Sequence, residues 1–210
     1  MWPVGVSDEA EQVIAQKSVI RRAARARRRE MASRRDLGAD AERLADHVVA
    51  LVARHLGQEP GRGAGGRGCR VAAYESYGVE PATDRLIARL VALGHEVILP
   101  RMLPDRSLQW TPARQASLPP TTGGGLGLTA LATADVVVTP GLAVDRIGTR
   151  LGQGGGSYDR ALVYRRRGAL VVTLLHDGEL RDIGQPLPRS VLDLPVDGVV
   201  TADGGFVDLR

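Results

Sequence analysis

Residues 71–100 read VAAYESYGVEPATDRLIARLVALGHEVILP. Val71 to Tyr74 is a short strand-type run, Thr83 to Leu93 has apolar residues at helical spacing and is closed by Gly94, and Glu96 to Leu99 is a second strand stopped by Pro100. Strand, helix and strand in succession are the unit of a parallel sheet. Downstream the alternation continues, with a buried-type strand at Val136 to Val138 ending at Pro140, a helix at Tyr158 to Arg166, a strand at Ala169 to Leu175 and a last short strand at Val199 to Thr201. Upstream, residues 12–31 contain no Gly or Pro and predict a long helix, and residues 39–56 predict a second, amphipathic helix ended by Gly57. The expectation is an α/β fold, a mostly parallel sheet with helices on both faces in a Rossmann-like three-layer sandwich. A single domain over residues 1–210 is expected, with residues 1–11 as a flexible tail and residues 57–69 and 111–128 as surface loops.

Composition supports a globule. Of 210 residues, 43% are hydrophobic and 25% charged, which excludes wholesale disorder and fibrous proteins. Aromatics are only 3%, with Phe206 the single phenylalanine, so the core must be Ala, Val and Leu, and an aromatic platform for nucleic acid is poorly supported. A lone cysteine, Cys69, cannot form an internal disulfide, and an incidental or structural thiol is the simpler reading of it than a reactive one. The apolar run around Leu170 to Leu175 is far short of the roughly 20 residues a membrane span needs, and no leader pattern is visible, so a cytoplasmic monomer is expected.

Charge is concentrated near the start, where residues 17–35 hold nine Lys/Arg against one acid, Glu30. Such a block suits a phosphate-rich partner or a solvated helix face. On a helical wheel Val13, Ile20, Ala24 and Met31 form a narrow seam, with Lys17, Arg21 and Arg28 beside it and Arg22 and Arg29 turned to water. Cations bordering a docked seam can reach into a cleft beneath the helix. Lys17, the only lysine among 28 basic residues, and Arg21 stand one turn apart.

The stretch Pro140 to Arg160, PGLAVDRIGTRLGQGGGSYDR, delivers a strand into a loop bearing Gly152, Gly154, Gly155 and Gly156 just before a helix. Backbone amides of such a loop can close on phosphate oxygens. A glycine run alone is more often a tight turn with no ligand; Arg150 and Arg160 on its flanks shift the balance toward an anion. No Walker A loop is present, because the one Lys-Ser pair, Lys17-Ser18, lies inside a helix. A dinucleotide fingerprint fits poorly, since its third glycine would fall at Ser157. The histidines His47, His55, His95 and His176 lack zinc spacing, with His47 and His55 expected on the surface, and no nucleophile elbow surrounds Ser157.

GTRLGQGGGSYDRAL from Gly148 to Leu162, preceded by PGLAVD, resembles the signature loop of the 5-formyltetrahydrofolate cyclo-ligase family. The Lys17/Arg21 pair, the Glu-x-x-Thr of Glu80 to Thr83, Leu99-Pro100 and the closing DLPVDGVVT from Asp193 to Thr201 resemble family features in the same order. Two positions depart from the pattern: Ser157 stands where the family usually has Tyr, and Gln153 where Tyr or Arg is usual.

The resemblance implies an enzyme that cyclises 5-formyltetrahydrofolate to 5,10-methenyltetrahydrofolate with ATP and Mg²⁺. It implies that Lys17, Arg21 and Arg150 hold the nucleotide phosphates, with Lys17 and Arg150 catalytic and Arg150 facing the phosphoryl in flight. Gly152, Gly154, Gly155 and Gly156 would form a backbone cradle, Tyr158 would serve both nucleotide and folate, Glu80 would face the folate, and Asp159 and Asp193 would hold Mg²⁺. On the residues alone, Asp159 reads as a carboxylate at a helix start and Asp193 as a turn former before Pro195. Two alternatives stay open at this stage: a family member that binds nucleotide or folate without turnover, and nucleic-acid binding through the Arg-rich helix.

Overall fold

The computed structural model describes residues 8–57, 68–115 and 125–210. Helix α1 spans Asp8–Ala32 and α2 spans Leu37–His55, followed by β1 (Arg70–Ala72), α3 (Asp84–Ala92), β2 (Glu96–Met102) and β3 (Leu108–Pro112). Then come β4 (Val136–Pro140), β5 (Ala143–Val144), β6 (Arg150–Leu151), α4 (Ser157–Leu162), β7 (Leu170–Leu174), β8 (Gly198–Thr201) and β9 (Gly205–Asp208). Short 3-10 helices lie at Ala113–Gln115 and Leu128–Thr133.

The main sheet has seven strands in the order β3-β2-β1-β4-β7-β8-β9. The central five are parallel, as the strand-helix-strand unit requires, and each edge strand is antiparallel. Side-chain alternation sorts the strands into two cores. Val71, Val97, Val136 and Leu170 face α2 and α3, packing on Leu44, Val48, Leu86 and Leu90. Ala72, Ile98, Val137 and Val171 face the opposite side, closed by Trp110, Leu131 and Leu162 from β3, the second 3-10 helix and α4. The three-layer expectation therefore holds, with a thinner second layer than two full helices would give.

Pro100 does not stop β2, contrary to expectation. It pairs with Trp110, whose own backbone N–H and C=O point away, to Gly127 and from Leu126, so no β3 bond is lost at the proline. Its effect falls on the other neighbour. Ala73 N donates to Ile98 O, and the next donor that parallel pairing would need is the N–H Pro100 lacks. Parallel pairing ends there, and the chain after Ala73 leaves the sheet as the loop that carries Glu80.

Other boundaries also shifted. Residues Asp8 to Glu11, expected in a tail, form the first turn of α1, where Asp8, Glu9 and Glu11 complement the helix dipole; residues 1–7 lie outside the described residues. Of the loop expected at 57–69, residues 58–67 lie outside them too. The loop expected at 111–128 is structured at both ends: Thr111 and Pro112 belong to β3, and Gly127 bridges Trp110. The helix expected to reach Arg166 ends at Leu162. His47 and His55, expected on the surface, are both half-buried, and the His47 ring lies 3.1 Å from Ala202 O.

Order along the sheet reverses at β1: β2 lies on one side and β4 on the other. In open parallel sheets the carboxyl ends at such a switch point diverge and leave a crevice. Here the loop after β1 and the Pro140-Gly141 turn after β4 flank that opening.

Candidate active site

The glycine segment is held from behind by a buried carboxylate. Asp145, 1% exposed, accepts from Ile147 N at 3.1 Å and Thr149 N at 2.8 Å through Oδ1, and from Leu187 N at 2.9 Å through Oδ2. These bonds shape the turn between β5 and β6. Gly148 has φ +80°, and a Cβ there would lie 2.5 Å from Val196 O. Val196 N in turn donates to Gly148 O at 3.0 Å. The closing segment with Asp193 is thereby pinned to the glycine loop, a link that sequence reading lacked.

The glycines are not equivalent. At Gly152 a Cβ would fall 2.6 Å from Nη1 of Arg150, so any side chain displaces that arginine. Gly154 has φ +107° and faces the Arg21 guanidinium, which a Cβ would meet at 3.4 Å. Gly156, at φ +67°, sits at the start of α4. Gly155 has neither constraint, with only ordinary contacts at 3.5 and 3.9 Å.

Helix α1 lies across this loop and meets it with cations. Lys17 Nζ is 2.5 Å from Asp193 Oδ2, which also accepts Ser190 N at 2.6 Å. Arg21 Nε donates to Gly152 O at 2.9 Å. Arg25, which the sequence reading passed over, donates to Gln153 Oε1 at 3.1 Å and through Nη2 to Gln153 O at 2.9 Å. Gln153 Nε2 then donates to Glu80 Oε1 at 3.3 Å. The expected seam is weaker than the wheel implied: Lys17 and Arg28 are the buried residues of α1, while Ile20 and Ala24 rest on Leu142, Ala143, Leu151 and Leu187. Arg22 and Arg29 are exposed, as the wheel has them.

Arg150, 5% exposed, pairs with Asp159 Oδ1 at 2.9 Å and stacks over the Tyr158 ring with Cζ 5.6 Å from the centroid. Its Nε and the Tyr158 hydroxyl are buried with no partner among the described residues. Burial pushes the Tyr158 phenol far up, so it stays protonated and is a donor. Burial also pushes the Asp193 carboxyl up, but hydrogen bonds from Lys17 and Ser190 N–H and the Lys17 charge outweigh it and hold it below the usual carboxylate range. Arg21 is lowered by burial first and by the Arg25 charge second, while Asp193 and Asp159 both act on it in the opposite sense. It therefore sits within reach of both carboxylates.

Glu80 stands in the loop after β1. Its Oε2 accepts Tyr77 N at 3.1 Å, and the loop is closed by Thr83, whose hydroxyl donates to Tyr74 O at 2.7 Å. Thr83 thus serves the loop and does not cap α3 with its side chain.

These groups surround one cavity of about 1140 Å³. Every site residue singled out from the sequence borders it: Lys17, Arg21, Glu80, Arg150, Gly152, Gly154, Gly155, Gly156, Tyr158, Asp159 and Asp193. The volume is that of a site for large ligands. Orphaned Arg150 Nε and Tyr158 Oη offer donors, Gly152 leaves no room for a side chain beside Arg150, and Gly154 holds a left-handed φ that a side chain would strain. Among the described residues no group of three His, Cys, Asp or Glu could hold a metal ion. Asp159 and Asp193 both border the cavity, and a magnesium ion usually takes only one or two carboxylates and fills its shell with water and phosphate oxygens. No described helix is long and apolar enough to cross a membrane.

Relatives agree with this architecture. A 5-formyltetrahydrofolate cyclo-ligase from Mycolicibacterium smegmatis is 36% identical over 155 residues, covering 68% of this chain and 78% of that protein. One from Escherichia coli is 40% identical over 72 residues, 34% of this chain and 38% of that protein. The solved 5,10-methenyltetrahydrofolate synthetase of Aquifex aeolicus superposes with a TM-score of 0.68 at 24% identity, covering 92% of this chain and 93% of that one. That of Mycoplasma pneumoniae gives 0.67 at 16% identity, covering 89% and 98%. At these identities the two structures speak to the fold. The model of the 5-formyltetrahydrofolate cyclo-ligase family matches residues 13–202, nearly the whole chain, and the protein belongs to that family.

Proposed function

We propose that this chain cyclises 5-formyltetrahydrofolate to 5,10-methenyltetrahydrofolate with ATP and Mg²⁺, releasing ADP and phosphate. The observation that carries the reading is the convergence of Lys17, Arg21 and Arg150 with Asp159 and Asp193 on one glycine-lined cavity, in a member of this family.

A formamide oxygen is a poor leaving group, so closure of N10 onto the formyl carbon needs that oxygen activated. Attack of the formyl oxygen on the γ-phosphate, expelling ADP, makes it a phosphate ester. N10 then bonds the formyl carbon, the C–O bond breaks to release phosphate, and the N10 proton passes to solvent or phosphate. Catalysis of the first step is positioning plus charge stabilisation. Lys17 and Arg21 are the cations for the polyphosphate, and the buried Arg150, held by Asp159 and stacked on Tyr158, is preorganised for charge on the transferring phosphoryl. Asp159 and Asp193 would hold Mg²⁺, which when bound neutralises phosphate charge. Glu80 faces the folate side, and Tyr158 lends its phenol donor.

Four cations of α1 spend their bonds inward, Lys17, Arg21, Arg25 and Arg28, which favours a small-molecule site over nucleic-acid binding by that helix. Absorbance of methenyltetrahydrofolate, followed with and without ATP beside ADP release with and without the folate, tests the reading. Product and ADP should form only with both substrates. ATP hydrolysis indifferent to folate, or tight binding with no product, overturns it.

A further inference from the structure

Helix α1 has little apolar surface against the body, so the axial position of Lys17 and Arg21 must come from polar bonds. One set of these is buried. Arg28, 2% exposed, donates through Nε to Glu179 Oε1 at 2.8 Å and through Nη2 to Glu179 Oε2 at 2.6 Å, and Nη2 also reaches Gly141 O at 2.7 Å. A planar two-bond fork fixes rotation and translation together, which a single ammonium contact does not.

Glu179 works on a second side. Its Oε2 accepts His176 N at 2.9 Å, two residues past the end of β7. The His176 ring, in a residue 4% exposed, lies with Nε2 2.9 Å from Val79 O. A carbonyl only accepts, so Nε2 carries the proton. Val79 immediately precedes Glu80. A continuous hydrogen-bonded path thus runs from α1 through the Arg28 and Glu179 side chains and the main chain and ring of His176 to the loop holding Glu80.

We propose that Glu179 is a positioning residue that sets both halves of the cavity, the cations of α1 through Arg28 and the Glu80 carboxylate through His176. This rests on the functional reading above. Stability alone does not call for such a pair, because buried ion pairs are commonly replaceable by packed apolar residues. Registration of two ligand sites is what an apolar contact would not supply.

Glu179→Gln keeps the shape and removes the charge. It should raise the KM for ATP and the KM for 5-formyltetrahydrofolate together, each about 10-fold, since misplacement by 1 Å can cost about a hundredfold. His176→Phe, which breaks the bond to Val79 O, should raise only the folate KM. Arg28→Lys, which keeps charge and loses the fork, should raise only the ATP KM. A merely structural role would lower the amount of folded enzyme and leave both constants alone. A folded Glu179→Gln with both KM values within twofold of the parent overturns the proposal. Should that variant fail to fold, His176→Phe and Arg28→Lys decide: the same constant moving in both, or neither moving, overturns it. Should the parent make no product, the functional reading fails separately, and calorimetric binding of ATP and of the folate to the same variants gives the same decision.

Discussion

The ammonium of Lys17 and the carboxylate of Asp193, 176 positions apart in the chain, meet at 2.5 Å on the wall of the cavity. Removing either partner leaves the other nearly buried without its counter-charge. Lys17→Met and Asp193→Asn should each lower kcat/KM for ATP by about a hundredfold or more, a size typical of lost charge-stabilising groups. Steady-state kinetics on folded variants checks this. A loss under fivefold in both would remove the pair from the mechanism.

The same contact has a pH consequence. Asp193 is held below its usual value, so its contribution to stability is fully present above the unfolded carboxylate pKa of about 3.9 and is lost as pH falls through the lower folded value. Urea midpoints measured between pH 2 and pH 5 should therefore fall more steeply in the parent than in Asp193→Asn. Parallel curves would show that the carboxylate gains nothing from Lys17 on folding.

Glycine substitutions should separate by geometry. Gly152→Ala drives a Cβ to within 2.6 Å of Arg150 Nη1, and Arg150 must move from Asp159 and Tyr158. A displacement of that order costs about a hundredfold in rate. Gly155→Ala meets only ordinary contacts and should lose much less. Equal losses at both positions would mean that the loop acts through flexibility and not through its fit around Arg150.

Much of this was legible in the chain because the physics was local. Period-2 and period-3.6 patterns placed β1, α3, β4 and β7, and the wheel put Lys17 and Arg21 next to a docking seam. The misses were non-local. Strand β3 is fixed by pairing with β2 and by the Trp110 bridge to Gly127, and β9 by pairing with β8, neither of which a linear pattern around Pro112 or Gly204-Gly205 announces. Asp145 read as part of a loop motif, yet its three backbone donors identify it as the anchor of the turn. Arg25 and Glu179 act through partners more than a hundred residues away, which spacing cannot reveal.

Cys69 illustrates how burial decides reactivity. It is 5% exposed, with Sγ 3.3 Å from His95 Nδ1, an arrangement that on paper resembles an activated thiol. Burial, with the Asp135 charge adding to it, pushes the thiol up to about 11, and burial likewise lowers His95, so neither the thiolate nor the imidazolium is favoured. The folded protein should react with a disulfide reagent at pH 8 far more slowly than the urea-unfolded chain, and cyclo-ligase turnover should survive Cys69→Ser. Rapid labelling of the native thiol would contradict the burial argument.

Trp110 is the largest fully buried side chain among the described residues and closes the second core against the 3-10 helix at Leu128–Thr133. Trp110→Ala should destabilise by about 3–5 kcal/mol, the range for emptied aromatic sites. Its Nε1 has no partner among the described residues, so Trp110→Phe discards a donor that costs energy where it lies and should be the milder change. Because Trp110 also pairs with Pro100, beside the point where β1 leaves the sheet toward Glu80, the alanine variant should weaken folate binding beyond its effect on ATP. Chemical denaturation and separate KM measurements check both halves. A variant that loses stability with the two KM values unchanged would confine Trp110 to the core and detach it from the site.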